Sequence, residues 1–494
     1  MSSSHPSESI DPASPGGLDP EPGTPGPQSI RLREKVAYGL GDMGSNLVYA
    51  PATAFILFYL TNVAGIGAAI AGTILLVGQL LNGITDIAIG ALIDKTSTRW
   101  GKVRPWVLGT ALPLAGSFVM LFSVPTGLDE TGRVIWALIA YTLVMAVFFT
   151  ANNVAYSALM SVMTPNPRAR VTLTAFRFFT ALLTTLVVNA ITLPIIGALG
   201  NGSSAWTTTA TIYGVISVLT MVIVFLGTKE RLSDTGEAHE TAKQPLRVLL
   251  RNLARNRYFF LAALLFIVFN LTTGLSSAAG VYYAADVLGD QNLFGLLSLA
   301  GILPALIGIP FMPALIGRYG KRPLFLIGVG VMIVGSILPL LDPTDLTIAL
   351  TGLIVRGVGM VPLTAGNFAI VADVVDYGEW KFGIRSDGLI YSSVSLGQKI
   401  GSGFGAAIVG WVLAAGGYAV GADDQSAAST QSVIVAYIYL PLIAVILTGV
   451  VVFFFRIERH GLAIQAFLAD RAAERDGRLV RGRTDDGDET GHER

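Results

Sequence analysis

The 494-residue chain is 52% hydrophobic and only 13% charged, with 33 Lys and Arg balancing 33 Asp and Glu, and it has no cysteine. Soluble proteins carry roughly 25% charged residues, so this composition points to a membrane protein of many spans. The missing cysteine excludes disulfides, thiol nucleophiles and cysteine-held metals, and a net charge of zero says nothing for or against acidic or nucleic-acid partners.

Residues 1–34 are rich in Ser, Pro and Gly without an apolar core, and read as a disordered cytoplasmic tail and not as a cleavable signal. Stretches able to cross the hydrocarbon core, which takes about 20 helical residues, then fall at roughly 36–63, 68–94, 104–125, 134–163, 170–199, 206–227, 258–287, 291–317, 321–341, 345–378, 387–416 and 432–455. Twelve spans put both termini on one side. The connections after the even-numbered spans hold Lys95, Arg99, Lys102, Arg104, Arg168, Arg170, the basic 229–257 segment, Arg318, Lys321, Arg322, Lys381 and Arg385, while the other loops are nearly free of cations apart from Arg133. By the positive-inside rule both tails are cytoplasmic and the protein is a multi-pass component of the inner (plasma) membrane.

The polar connection 228–257 divides the spans six and six, giving an N-terminal bundle over 35–227, a C-terminal bundle over 258–455 and a charged tail over 456–494, read as a short amphipathic helix followed by disorder. A repeat supports the division. Ala91-Leu92-Ile93-Asp94 followed by Gly101-Lys102-Val103-Arg104-Pro105 recurs as Ala314-Leu315-Ile316-Gly317-Arg318-Tyr319-Gly320-Lys321-Arg322-Pro323, after the second span of each half. Two parallel halves of six helices form the major facilitator fold: all-α, integral to the membrane, twelve transmembrane helices in two bundles around a central cavity.

Polar residues inside the spans locate that cavity. At 1.5 Å per residue, Asp86 lies roughly 12 Å above the end of span 2 and Lys399 roughly 18 Å into span 11, with Asn46 and Asn153 near roughly 15 Å and Asp42 and Arg177 closer to the cytoplasm. Asn82 and Asp86, Asp42 and Asn46, and Ser395 and Lys399 are each four apart, and Thr150 and Asn153 three apart, so each pair shares a helix face. Charge in hydrocarbon is costly and marks function by default. Asp86 is expected to bind the coupling cation or proton, with Lys399 as counter-charge, and the amides, carboxylate and guanidinium to hold a polyhydroxylated ligand. The competing reading makes Asp42, Arg177 and Lys399 structural ion pairs. Arg356, in span 10, is open to either.

Span 10 ends in Asp373, Asp376 and Glu379, followed by Lys381 and Arg385, and acids at a helix C-terminus oppose the macrodipole. Salt bridges among Asp94, Arg318, Asp373, Asp376, Glu379 and Arg385 are expected to form a cytoplasmic gate, closed when the carrier faces out. Gly39-Leu40-Gly41-Asp42-Met43-Gly44 matches GxGxxG but sits inside a span with no strand before it, so it is not a dinucleotide site. His5, His239, His460 and His492 all lie in tails or the central loop, which leaves no histidine catalysis or metal cluster in the membrane.

The stretches YGLGDMGSN (38–46), TDIAIGALIDKTSTRWGKVRPW (85–106), FRFF (176–179) and VADVVDYGEWKFGIRSDGLIYS (371–392) resemble the glycoside-pentoside-hexuronide:cation symporters, over about 35 to 455. The resemblance implies secondary active uptake of a sugar or glycoside driven by Na⁺, Li⁺ or H⁺ through alternating access. It places Asn82 and Asp86 where the family's melibiose carrier has two cation-site aspartates. Thr150 and Lys399 keep its threonine and lysine, and Asn46, Asn153 and Arg177 stand at sugar-contacting positions. Ser157 and Thr364 replace its cavity tryptophans, which leaves Tyr49, one turn from Asn46, as the ring for stacking. With one carboxylate remaining, H⁺ is favoured over Na⁺, although Asn82 and Thr150 oxygens could complete a weaker Na⁺ site. The expected chain is a monomeric symporter and not an enzyme, with no cofactor, no resident metal and no nucleic-acid partner. The alternatives are a carrier of lysolipid-like amphiphiles from the same family and a membrane sensor without transport.

Overall fold

The computed structural model describes residues 30–164, 166–231, 246–383, 385–422 and 425–471. The expected disorder of residues 1–29 and 472–494, and the positions of His5, His239 and His492, lie outside the described residues. Twelve helical rods make up the chain. The first six are α1 (Leu32–Ala54, bent by 50° into Ile56–Val63), α2 (Ala68–Asp94), α3 (Arg104–Leu121), α4 (Glu130–Met163), α5 (Pro167–Ala198) and α6 (Ser203–Gly227). A linker helix, Leu246–Arg255, lies within the stretch expected to be a loop. The second six are α7 (Arg257–Val287), α8 (Leu293–Tyr319), α9 (Lys321–Leu340), α10 (Leu346–Phe382), α11 (Asp387–Ala415) and α12 (Ala427–Ile434, continuing as Leu440–Phe454). Among the described residues, ten rods are long and apolar enough to cross a membrane when the bent α1 counts as one. The other two are α3, only 18 residues long, and α11, which carries Ser392, Ser393, Ser395, Gln398 and Lys399.

The halves are built alike. In the first, α1 packs on α5 and α6, and α3 on α6; in the second, α7 packs on α11 and α12, and α9 on α12. Large apolar side chains such as Leu112, Leu219, Leu226, Ile327 and Phe453 face outward. Such a surface would aggregate in water and is the natural coat of a bundle in lipid.

The repeat noticed in the sequence has a physical purpose. The helix N-termini of α3 and α9 each leave backbone N–H groups without intrahelical acceptors. Glu230, just beyond α6, accepts from the N–H groups of Lys102, Val103 and Arg104 at 2.9, 2.9 and 2.8 Å. Glu458, just beyond α12, accepts from Lys321 and Arg322 at 2.7 and 3.0 Å. Arg104 bonds to the carbonyl of Phe225 and lies over its ring, and Arg322 does the same with Phe453. Gly101 has φ +107°, and a Cβ there would sit 2.3 Å from the Glu230 carboxyl carbon, so both backbone and space require glycine. In each half the sixth helix is thus stapled to the start of the third.

The bundles meet along α2 and α11, α5 and α8, and α1 and α7. At the ends remote from the tails the fit is close: a Cβ on Gly410 would lie 2.4 Å from the carbonyl of Ala68, and Asn189 of α5 donates to Ser298 of α8 at 3.2 Å. Thr61 and Tyr282 share a 2.6 Å hydrogen bond, and Tyr418 donates to Asn62 at 3.3 Å and to Asp286 at 3.1 Å. The far side is sealed across both halves. The cleft therefore opens on the side that bears the tails.

Candidate functional site

At the inner end of that cleft lies a cavity of about 560 Å³, within the range of small-molecule sites. Its wall is amide and hydroxyl: Asn46, Gln79, Asn82 and Asn153 from one half face Asn270, Thr273, Ser395, Gln398 and Ser402 from the other. Among the described residues lining it, Asp86 and Lys399 carry the formal charge. A smaller space of about 180 Å³ shares Tyr49, Gln79, Thr273 and Ser402 with it and extends it toward the sealed side.

Helix spacing sets the charged centre. Asn82 and Asp86 share one face of α2, and that face meets α11 where Gly83 lets the two helices approach Leu396 and Lys399. The Lys399 ammonium donates to Asp86 Oδ2 at 2.5 Å, to Asn82 Oδ1 at 2.7 Å and to the Asn82 carbonyl at 3.2 Å. These three acceptors use all its protons. Thr150 Oγ1 also donates to Asn82 Oδ1, at 2.6 Å, and the Asn82 amide donates to Gln79 at 3.2 Å, whose own amide reaches the Tyr141 hydroxyl at 3.4 Å. The four residues expected to bind the cation therefore form one cluster that bridges the halves.

The expected ligand residues divide. Asn46, Tyr49, Asn153 and Ser395 line the cavity, and Tyr49 stacks on Phe149 with ring centroids 5.1 Å apart. Asp42 and Arg177 pair with each other instead, Nε to Oδ2 at 2.6 Å and Nη2 to Oδ1 at 3.3 Å, behind the wall. Arg177 touches the cavity through Ser157, to which Nη1 donates at 3.3 Å, and its guanidinium lies over the Tyr156 ring. Arg356 donates to Ser276 on α7, and Thr364 is occupied with the carbonyl of Met360.

At the mouth, each acid of the expected gate finds a base in its own half. Asp94 pairs with Lys102 at 3.1 Å, Asp373 with Lys321 at 2.7 Å, and Arg385 reaches Asp376, Glu379 and Asp387 at 3.2, 2.9 and 2.8 Å. Arg471, in the helix over 461–471, joins Glu379, and Arg318 lies over the ring of Tyr319. Partial burial opposes the charge on Arg385, but hydrogen bonds to Glu379 and Asp387 outweigh it and raise its pKa above the ordinary value. Among the described residues no cluster of three or more His, Cys, Asp or Glu side chains could hold a metal.

Sequence reasoning missed Gln79, Phe149, Asn270, Thr273, Gln398 and Ser402. Asn270, Thr273 and Ser277 are spaced by three and four along an otherwise apolar α7, a polar stripe that was open to the same face-counting used for α2.

Two six-helix bundles around a polar cavity sealed at one side define a carrier of the major facilitator class. A protein-family model described as MFS/sugar transport protein matches residues 37–459. The chain is 32% identical to the isoprimeverose transporter of Lactiplantibacillus pentosus, over 89% of this chain and 92% of that protein. It is 31% identical to a glucuronide carrier protein homolog of Escherichia coli (strain K12), over 79% and 85% respectively. The crystal structure of a D-xylose-proton symporter superposes with a TM-score of 0.60 at 14% identity, covering 86% of this chain and 97% of that one, and confirms the fold. The chain belongs to the glycoside-pentoside-hexuronide:cation symporter family. It is a multi-pass membrane transporter coupled to a cation, and not an enzyme.

Proposed function

We propose that the protein moves a sugar or glycoside into the cell together with H⁺ by alternating access, with both tails in the cytoplasm. The observation that carries this reading is the Lys399 ammonium seated among the Asp86 and Asn82 oxygens. A tethered cation fills the place where a dehydrated Na⁺ would need several oxygens and net negative charge. One carboxylate, Asp86, remains to take a proton. The amide and hydroxyl wall and the Tyr49–Phe149 ring pair suit a polyol with apolar C–H faces, and an amphiphile would want an apolar cavity in their place. The relatives named for isoprimeverose and glucuronide transport point the same way.

In this mechanism protonation of Asp86 breaks its bond to Lys399 and frees the wall to receive the sugar. The loaded carrier rocks, the cleft opens on the cytoplasmic side, and loss of both ligands restores the ion pair. The present structure, open toward the tails with the pair made, corresponds to that released state. Coupling requires that proton and sugar each strengthen the other's binding. The test is external pH in a lightly buffered, de-energised suspension of expressing cells, pulsed with neutral and acidic glycosides. Alkalinisation with one sugar class, absent in Asp86→Asn, is the expected result. Preserved uphill uptake in that variant, or uptake that follows Na⁺ without proton movement, overturns it.

A further inference from the structure

The family relatives include carriers whose names concern a neutral disaccharide and an anionic glucuronide. The cavity distinguishes between these kinds of cargo. This inference rests on reading the cavity as a sugar site.

A carboxylate taken out of water needs an uncommitted cation, because leaving the charge unpaired costs several kcal/mol or more. Lys399 has no proton to spare, since Asp86 and the two Asn82 oxygens accept all three. Arg177 is committed as well: Nε and Nη2 grip Asp42, and Nη1 donates to Ser157 and, at 3.5 Å, to Tyr38. Its fork, the usual device for reading a carboxylate, is already filled by one. Both cations near the wall are thus cancelled one for one. What is left uncommitted is neutral. Gln398 and Ser395 make no hydrogen bond among the described residues, and they face Asn153 across the cavity. Amides and hydroxyls of this kind donate and accept in equal measure, as sugar hydroxyls do. We infer that the cargo is an uncharged glycoside and that uronides and sugar sulfonates are excluded because every cation at the cavity is already paired.

The experiment uses the purified full chain and matched ligands differing at one carbon: p-nitrophenyl glucosides against p-nitrophenyl glucuronides, in both anomers, with p-nitrophenyl xylosides beside them. Binding is measured by calorimetry at two pH values. The expected result is neutral binding at least about 30-fold tighter than uronide binding, equivalent to about 2 kcal/mol. The variant Ser157→Lys adds a cation to the wall without breaking either ion pair, and it should raise uronide affinity about tenfold. Equal or tighter binding of the uronide by the wild-type chain at either pH overturns the inference and leaves the sugar-carrier reading standing. Failure of Ser157→Lys to improve uronide binding also overturns it, since charge would not be the discriminating factor. If no member of either series binds, the sugar reading itself falls.

Discussion

Replacing Asn82 with Asp changes the charge of the cage around Lys399 and nothing else of consequence in its shape. At present that cage sums to zero, one ammonium against one carboxylate. The substitution puts a second carboxylate where the amide oxygen lies 2.7 Å from Nζ. A further unit charge at about 4 Å, with an effective dielectric constant of about 20, is worth about 4 kcal/mol to an incoming cation. Dehydration of the ion and crowding by Lys399 should cancel about half, leaving about 2 kcal/mol, or roughly 30-fold in Na⁺ affinity. Because coupled ligands favour one another reciprocally, the sugar should report the change. Sugar binding to purified protein, titrated in choline chloride and in sodium chloride at fixed pH, should be indifferent to Na⁺ in the wild type and Na⁺-dependent in Asn82→Asp. A variant that stays indifferent would refute the idea that Na⁺ coupling fails for want of one carboxylate.

Asp86→Asn should retain sugar binding within a few-fold while abolishing accumulation, as checked by equilibrium binding beside uphill uptake. Tyr418→Phe removes the hydroxyl that reaches Asn62 and Asp286 across the far seal. The loss of about 1 kcal/mol should raise labelling from the outside at cysteines introduced near Asn62, read without background because the chain has none of its own. Gly410→Leu should block closure of the far side, since even a Cβ would meet Ala68, and transport should stop while the protein still folds. Glu230→Ala should lower stability by about 2 kcal/mol and Glu230→Gln by less, as the glutamine keeps an acceptor but loses the charge; thermal unfolding in detergent measures both.

Hydropathy alone made the number and order of helices legible, because a membrane span must satisfy its own backbone and cannot hide its apolar length. Counting from helix ends placed Asn82, Asp86, Thr150 and Lys399 at one depth, and these four do meet. The same count could not decide whether Asp42 and Arg177 would face the cavity or each other, since that depends on rotation between α1 and α5, which no single helix encodes. The gate residues were a similar case. A sequence shows which acids need bases, but partner choice changes with the conformational state, and with the cleft open each acid is matched within its own bundle.

The two staples at Glu230 and Glu458 bear on what the open mouth will attract. A helix start rimmed with Lys and Arg is a ready socket for phosphate or sulfate, and the cytoplasm is rich in such ions. Here each socket is plugged by a carboxylate from the same chain. The entrance can therefore keep the basic loops that orient it in the membrane without baiting itself for the anions that would otherwise crowd the path of a neutral passenger.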